Sequence, residues 1–276
     1  MTLEIEKGTL SVFAASDYMP PIPPHIALRV HDLSQRMDLE LEAVEELLGE
    51  DPLIASRFVR IAQYPLFSGT SSVLSLRRTL DVLGAKAVQE LLWQTSAGMK
   101  VFRNKVFVEP LAEASRHSSY TAHFARLIAE QTALDPDEMF LFGLLHDIGL
   151  LALLIEMSER KPDYTLQEMI PILEDRHGEA SARIFAIWGF PNSWQHLARE
   201  HHVHQTYRER PSPGAVLHLA HHFAEKKGAK SVLEKVFSLQ VTEARLESAW
   251  ENLELGALQR LQIAKGVQGL RLGESK

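Results

Sequence analysis

The chain has no cysteine among its 276 residues. That removes zinc–thiolate, iron–sulfur and thiol-nucleophile chemistry, and disulfides with them. A core of this size needs no covalent staple. Basic charge is also scarce: the net charge is −7, and only Arg77-Arg78 and Lys226-Lys227 stand out as basic pairs, so nucleic acid is not an expected partner. The amino terminus, Met1-Thr-Leu-Glu-Ile-Glu-Lys7, lacks a basic segment followed by an apolar one, so no secretory signal is expected and the expected location is cytoplasmic. No uncharged apolar run reaches the ~18 residues of a membrane span. Alternating apolar and polar stretches are too short to specify strands, which leaves an all-α chain.

What is present is a conflict. Met139-Phe-Leu-Phe-Gly-Leu-Leu-His-Asp-Ile-Gly-Leu-Leu-Ala-Leu-Leu-Ile-Glu156 places an adjacent imidazole and carboxylate, His146 and Asp147, inside the most apolar stretch. Burying each polar group unpaired costs roughly 2–7 kcal/mol. An ionisable pair in such a place points to a compensating group, and a bound metal is the obvious one.

Helix signals divide the chain. After Pro20-Pro21-Ile-Pro23-Pro24 a helix is expected over 25–36, and a second begins with Asp38 as its cap. Asp51-Pro52 starts a third that stops before Pro65. Residues 66–74 read as a loop. Helices are expected over 75–83, ending on Gly84, over 85–101, and over 108–131. Asp135-Pro136-Asp-Glu138 opens the buried helix with a reciprocal capping box. Further helices are expected over 165–175, 178–188, 193–203 and 212–226, with amphipathic ones at 243–253 and 257–267.

Thirteen histidines are a high count. Metal sites in helical proteins gather inward-facing side chains from several helices, and imidazole with carboxylate suits zinc, iron, manganese or nickel. The candidates are His117, with Glu113 one turn earlier on its face, then His146, Asp147, His177, His201, His202 and His221. His221 shares a face with Leu217 and Ala224. His25, His31, His123, His196, His204, His218 and His222 read as ordinary surface or core histidines.

The ordered set His117, His146-Asp147, His177, His201-His202 resembles the HD-domain superfamily of metal-dependent phosphohydrolases, particularly its dinuclear HD-GYP cyclic-dinucleotide branch. More specifically the chain is similar to the HDOD family, the HD-related output domains of bacterial signalling. The resemblance is carried by Met19-Pro-Pro-Ile-Pro-Pro24, Glu50-Asp-Pro-Leu-Ile-Ala-Ser-Arg-Phe-Val-Arg-Ile-Ala62, Ser75-Leu-Arg-Arg-Thr-Leu-Asp-Val-Leu-Gly84, Gly143-Leu-Leu-His-Asp-Ile-Gly149, His177-Gly-Glu-Ala180 and Trp188-Gly-Phe-Pro191. It covers about residues 17–224, an HDOD-like domain, and leaves outside it an N-terminal segment over 1–16 and a C-terminal helical extension expected over 225–276. Within the domain it implies an N-terminal helical lobe over about 17–105 and an HD-like helical bundle over about 106–224.

The resemblance also implies roles. His117, His146 and Asp147 would be ligands of one divalent transition metal, Asp147 also being the catalytic candidate. His177, His201 and His202 match ligands of a second ion, and Glu113 falls where a further carboxylate can join.

The chain departs from the hydrolytic pattern in three places. His221 stands where the closing aspartate is expected, Leu150 replaces a phosphate-holding lysine, and Val203-His-Gln-Thr-Tyr-Arg-Glu-Arg-Pro211 lacks the Gly-Tyr-Pro signature. In the first lobe, Ile61-Ala-Gln63 replaces a typical asparagine–serine. The expectation is a non-catalytic signalling module with a retained or modified metal site, taking a protein partner or a small nucleotide ligand. The alternative is a metal-dependent phosphohydrolase. Arg57, Arg60, Arg77 and Arg78 form a possible basic patch, weighed against an ordinary solvated face.

Overall fold

A computed structural model describes residues 24–98, 105–130, 132–160, 165–202 and 212–228. The expected helices at 243–253 and 257–267, and most of the proline cluster, lie outside the described residues. Within them every regular element is a helix, so the chain is all-α. In chain order the helices are α1 Pro24–Ser34, α2 Leu41–Glu50, α3 Pro52–Ala62, α4 Pro65–Ser68, α5 Leu76–Gly98 and α6 Lys105–Ala129. There follow α7 Pro136–Leu145, α8 Ile148–Arg160, α9 Leu166–Ile187, α10 Asn192–Glu200 and α11 Pro213–Gly228.

Local chemistry sets most of the boundaries. Asp51 accepts hydrogen bonds from the amides of Leu53 (2.9 Å) and Ile54 (3.1 Å) ahead of Pro52, so α3 starts with a satisfied first turn. Asp135 does the same for Asp137 and Glu138 at the head of α7. Glu138 turns to the indole of Trp194, whose Nε1 donates to it over 3.1 Å. At Gly84 the backbone takes φ 75°, which breaks α5 into the two helices the sequence suggests.

Several boundaries differ from the reading above. α2 begins after Glu40 without a side-chain cap, so Asp38 is not its cap. Part of the 66–74 loop is a single helical turn, α4. Gln63 holds the remainder: its amide donates to the Val73 carbonyl (2.6 Å) and accepts from the Val73 amide (3.0 Å). The two helices expected across 165–188 are one, α9. Pro171 falls in its second turn, and Gly178 serves close packing instead of a break. The basic patch does not form, because Arg57 and Arg60 are buried. Arg77 is surrounded by Glu42, Glu45 and Asp81 at 2.9–3.6 Å.

α1, α2 and α3 pack on α5, while α6 packs along α7, α8 and α11, and α9 lies between α8 and α10. One apolar core runs through both sets, from Ile26 to Ala224. α3 joins them through contacts with α6, α7 and α8. Residues 136–159 are long and apolar enough to cross a membrane, but 94 % of that window is buried inside the protein. The segment is the centre of the bundle.

Candidate metal centre

The buried segment does not run as one straight helix. α7 ends at Leu145, His146 is its cap, and α8 starts at Ile148. The chemistry therefore sits at a helix junction, where the last carbonyls of a helix lack intrahelical partners. The Gly143 carbonyl, one of these, lies 2.7 Å from His146 Nδ1. His201 caps α10 in the same way, with Nδ1 2.6 Å from the Ala198 carbonyl. His177 lies mid-helix on α9 rather than at a helix start, and its Nδ1 is 2.6 Å from the Leu173 carbonyl. A carbonyl only accepts, so each of the three rings carries a proton on Nδ1 and turns its Nε2 inward.

Those Nε2 atoms converge on Asp147. Its Oδ2 lies 3.2 Å from His146 Nε2 and 3.9 Å from His117 Nε2. Its Oδ1 lies 3.0 Å from His201 Nε2 and 3.9 Å from His177 Nε2. These approaches are not aligned as hydrogen bonds, and neither carboxylate oxygen has a hydrogen-bond partner. Asp147 and His146 are fully buried.

The candidate donors fall into two sets sharing one carboxylate. His117, His146, Asp147 and His221 form one, and Asp147, His177, His201 and His202 the other; within each, the ligand atoms lie within 4.8 Å of one another. The structure thus brings together six histidines and Asp147 from α6, the α7–α8 junction, α9, the end of α10 and α11. Glu113 is buried one turn before His117 but belongs to neither set. Only His202 is more than slightly exposed. His31 and His196 lie at the surface beside Ser96 and Glu200, and His123 packs on Phe140.

Burial favours the neutral form of His117, His177, His202 and His221. It pushes His117 down to about 3, helped by neighbouring His146, and His177 down to about 4. It also holds His202 and His221 well below the ordinary histidine range. For Asp147 burial alone acts upward, but the imidazoles of His146 and His201 outweigh it and hold the carboxyl well below the usual range. A neutral imidazole with an ionised carboxylate is the ligating state of both groups.

Close helix crossings make the convergence possible. The Gly149 amide donates to Ser181 Oγ at 2.9 Å, and a Cβ on Gly149 would overlap the His177 carbonyl and the Ser181 amide. A Cβ on Gly178 would sit 2.8 Å from the Arg199 carbonyl. The first contact seats α8 on α9 and the second seats α9 on α10. The turn after α9 is locked by Phe190 stacked on Trp194, centroids 4.9 Å apart, with Trp194 also against Phe142. Ser181, and Thr121 at 3.4 Å from His117 Nε2, escaped the sequence reading, since a serine and a threonine on helices carry no distinguishing pattern.

The donor set fits a divalent transition metal. It offers only nitrogen and oxygen, three of its rings are oriented by hydrogen bonds from their outer nitrogens, and neither oxygen of its central carboxylate has a hydrogen-bond partner.

The HDOD domain family matches residues 20–204. The chain belongs to that family. A curated relative, an uncharacterized protein of Treponema pallidum (strain Nichols), is 22 % identical over 216 residues, 72 % of this chain and 41 % of the relative. The chain therefore spans about two-fifths of that relative's length. Among solved structures, the MmoQ response regulator of Methylococcus capsulatus is similar with a TM-score of 0.68 at 23 % identity, over 88 % of this chain and 96 % of that one. A virulence factor of Campylobacter jejuni has a TM-score of 0.65 at 11 % identity, over 98 % and 99 % of the two chains. At these identities the likeness concerns the fold.

Proposed function

We propose that this protein is a non-catalytic regulatory HDOD module whose helical core is held by a buried metal centre, and that it relays a signal through helix packing. The observation that carries this reading is the closure of the site. Each donor set already holds four ligand atoms, the coordination number of a structural centre, whereas a catalytic zinc keeps a position open for water or substrate. His117, His146, Asp147 and His221 would hold one ion and Asp147, His177, His201 and His202 a second. Bound there, a divalent ion supplies positive charge to the buried carboxylate and ties five helical segments together.

The chain's own residues give a phosphoester little to hold. Leu150, where the resemblance expects a lysine, is 1 % exposed and part of the apolar core. The signal would be received by a protein partner or a small nucleotide, and a centre that ties α6 through α11 together makes their packing respond as a unit.

A metal-dependent phosphohydrolase is the second reading. It is favoured by one observation, the single carboxylate shared between two donor sets, an arrangement that suits paired ions acting on a phosphoester. Metal analysis of protein purified without chelator, followed by phosphodiester and phosphomonoester assays with added manganese and iron, separates the two. Bound metal without turnover is the expected result. Turnover that His146→Ala and Asp147→Ala both abolish would replace the first reading by the second.

A further inference from the structure

The end of α2 meets α6 and α7 at close quarters. Ser119 Oγ donates to the Gly49 carbonyl at 3.0 Å, and a Cβ on Gly49 would stand 3.2 Å from Phe140 Cζ. Phe140, 3 % exposed, is in turn held by two side chains of α6. His123 meets its ring at 80° with centroids 5.1 Å apart, and the guanidinium carbon of Arg126 lies 4.2 Å from its centroid. Neighbouring positions on α6 thus set an imidazole and a permanent cation against the same aromatic ring.

The charges around the half-buried imidazole come from four helices. Arg126 shares α6 with it and is paired with Asp137 of α7 at 2.8 Å. Glu50 acts on it from α2 and is paired with Arg29 of α1. Burial first and Arg126 second favour the neutral ring, and Glu50 opposes them without prevailing. A neutral imidazole packs on Phe140 with no charge to desolvate. A protonated one sets a second cation beside Arg126, while Glu50 is engaged by Arg29.

We infer that this joint is an acid-sensitive release: a proton on His123 frees the end of α2 from α6 and α7, so that the seating of α1 and α2 on the bundle follows pH. A released ring takes up its proton at the ordinary histidine value of about 6.5, more readily than the docked ring, so protonation and release favour each other. The joint is therefore tight above neutrality and opens as pH falls below about 6.5. The inference does not depend on metal, since neither His123 nor Phe140 belongs to the donor sets.

The test uses the full chain in chelator. The ring of His123, identified by backbone assignment, should titrate below the ordinary value when followed by nuclear magnetic resonance. Its midpoint should rise in Arg126→Gln and fall further in Glu50→Gln, opposite shifts that a purely structural ring would not give. Hydrogen exchange of the amides of residues 47–50, corrected for its intrinsic pH dependence, reads the release itself. Between about pH 7.5 and about pH 5.5 it should quicken more in wild type than in His123→Gln, by up to about tenfold, the factor by which protons favour an ordinary imidazole at the lower pH. A His123 ring that titrates at or above about 6.5 would overturn the inference, as would α2 exchange that is equal in wild type and His123→Gln at both pH values. The wild-type titration decides the matter even where a variant does not fold.

Discussion

The amide of Gly149 reaches the hydroxyl of Ser181 across 2.9 Å, so close that α8 and α9 touch backbone to backbone. The same crossing sets Asp147 against His177. Gly149→Ala drives a methyl group into the His177 carbonyl and the Ser181 amide. These are main-chain atoms that cannot swing aside, so the cost falls toward the upper end of the 1–3 kcal/mol typical of overpacking, or about 3 kcal/mol. Urea denaturation should register this loss, and Mn(II) affinity should fall with it. Ser181→Ala removes one buried hydrogen bond and should cost only about 1 kcal/mol. Equal effects of the two substitutions would contradict the close-crossing account.

Asp147→Asn should cost stability in both the metal-free and the metal-loaded protein. Without metal, the imidazoles of His146 and His201 hold the buried carboxyl in its ionised form, so removing its charge at pH 8 should lower the unfolding temperature. With metal at a hundredfold over the wild-type Kd, the wild type gains about 2.7 kcal/mol by linkage, and the variant loses most of that gain as well. Thermal unfolding with and without Mn(II) gives both numbers. A variant as stable as wild type in chelator would show that the protein alone does not hold the carboxylate.

The α3 cap allows a separate check on the first set of helices. Asp51 is 1 % exposed and accepts from two amides, so Asp51→Ala leaves two buried donors without an acceptor. The loss should be about 2 kcal/mol, the high end for a cap. Asp51→Asn should recover more than half of it. Because α3 touches α6, α7 and α8, one cooperative unfolding transition is expected in each variant. Two separated transitions would show that the helices before residue 100 unfold independently.

These residues also show what was legible in the sequence. Asp51-Pro52, Asp135-Pro136 and Gly84 act locally, through capping and a left-handed φ, and are legible from neighbours in the chain, although Glu138 turns to Trp194 and does not close the reciprocal capping box. The candidate donors are legible as types, since His146-Asp147 is anomalous in its apolar run. Their assembly was not, because it depends on backbone contacts across helices. Gly178 looked like a helix break because spacing alone cannot tell a terminating glycine from one that admits a neighbouring helix. His177 was misplaced at a helix start for the same reason. Arg57 and Arg60 looked like surface charges because the amphipathic pattern of α3 does not reveal that α5, α6, α7 and α8 all pack on it.

Stability of the chelated protein should fall as pH drops below neutrality. His117 and His177 titrate near 3 and 4 in the folded protein, against about 6.5 when unfolded. Between those values the unfolded chain binds more protons than the folded one, so stability rises with pH there. The contribution is complete above pH 6.5 and is lost as pH falls toward 3. For His177 alone the full window is on the order of 3 kcal/mol. His202 and His221, pushed in the same direction by burial, add with the same sign. The carboxyl of Asp147, held below its usual range, adds a further loss only below about pH 4, where the unfolded aspartate takes up its proton. Urea midpoints measured from pH 8 to pH 4.5 should be level above pH 7 and decline steadily below 6.5. Saturating Mn(II) should steepen that decline, because every proton added to a ligand must also displace metal. A midpoint that stays level down to pH 5 in chelator would mean that His117 and His177 take up protons in the fold over the same pH range as in the unfolded chain, and burial could not then hold them low.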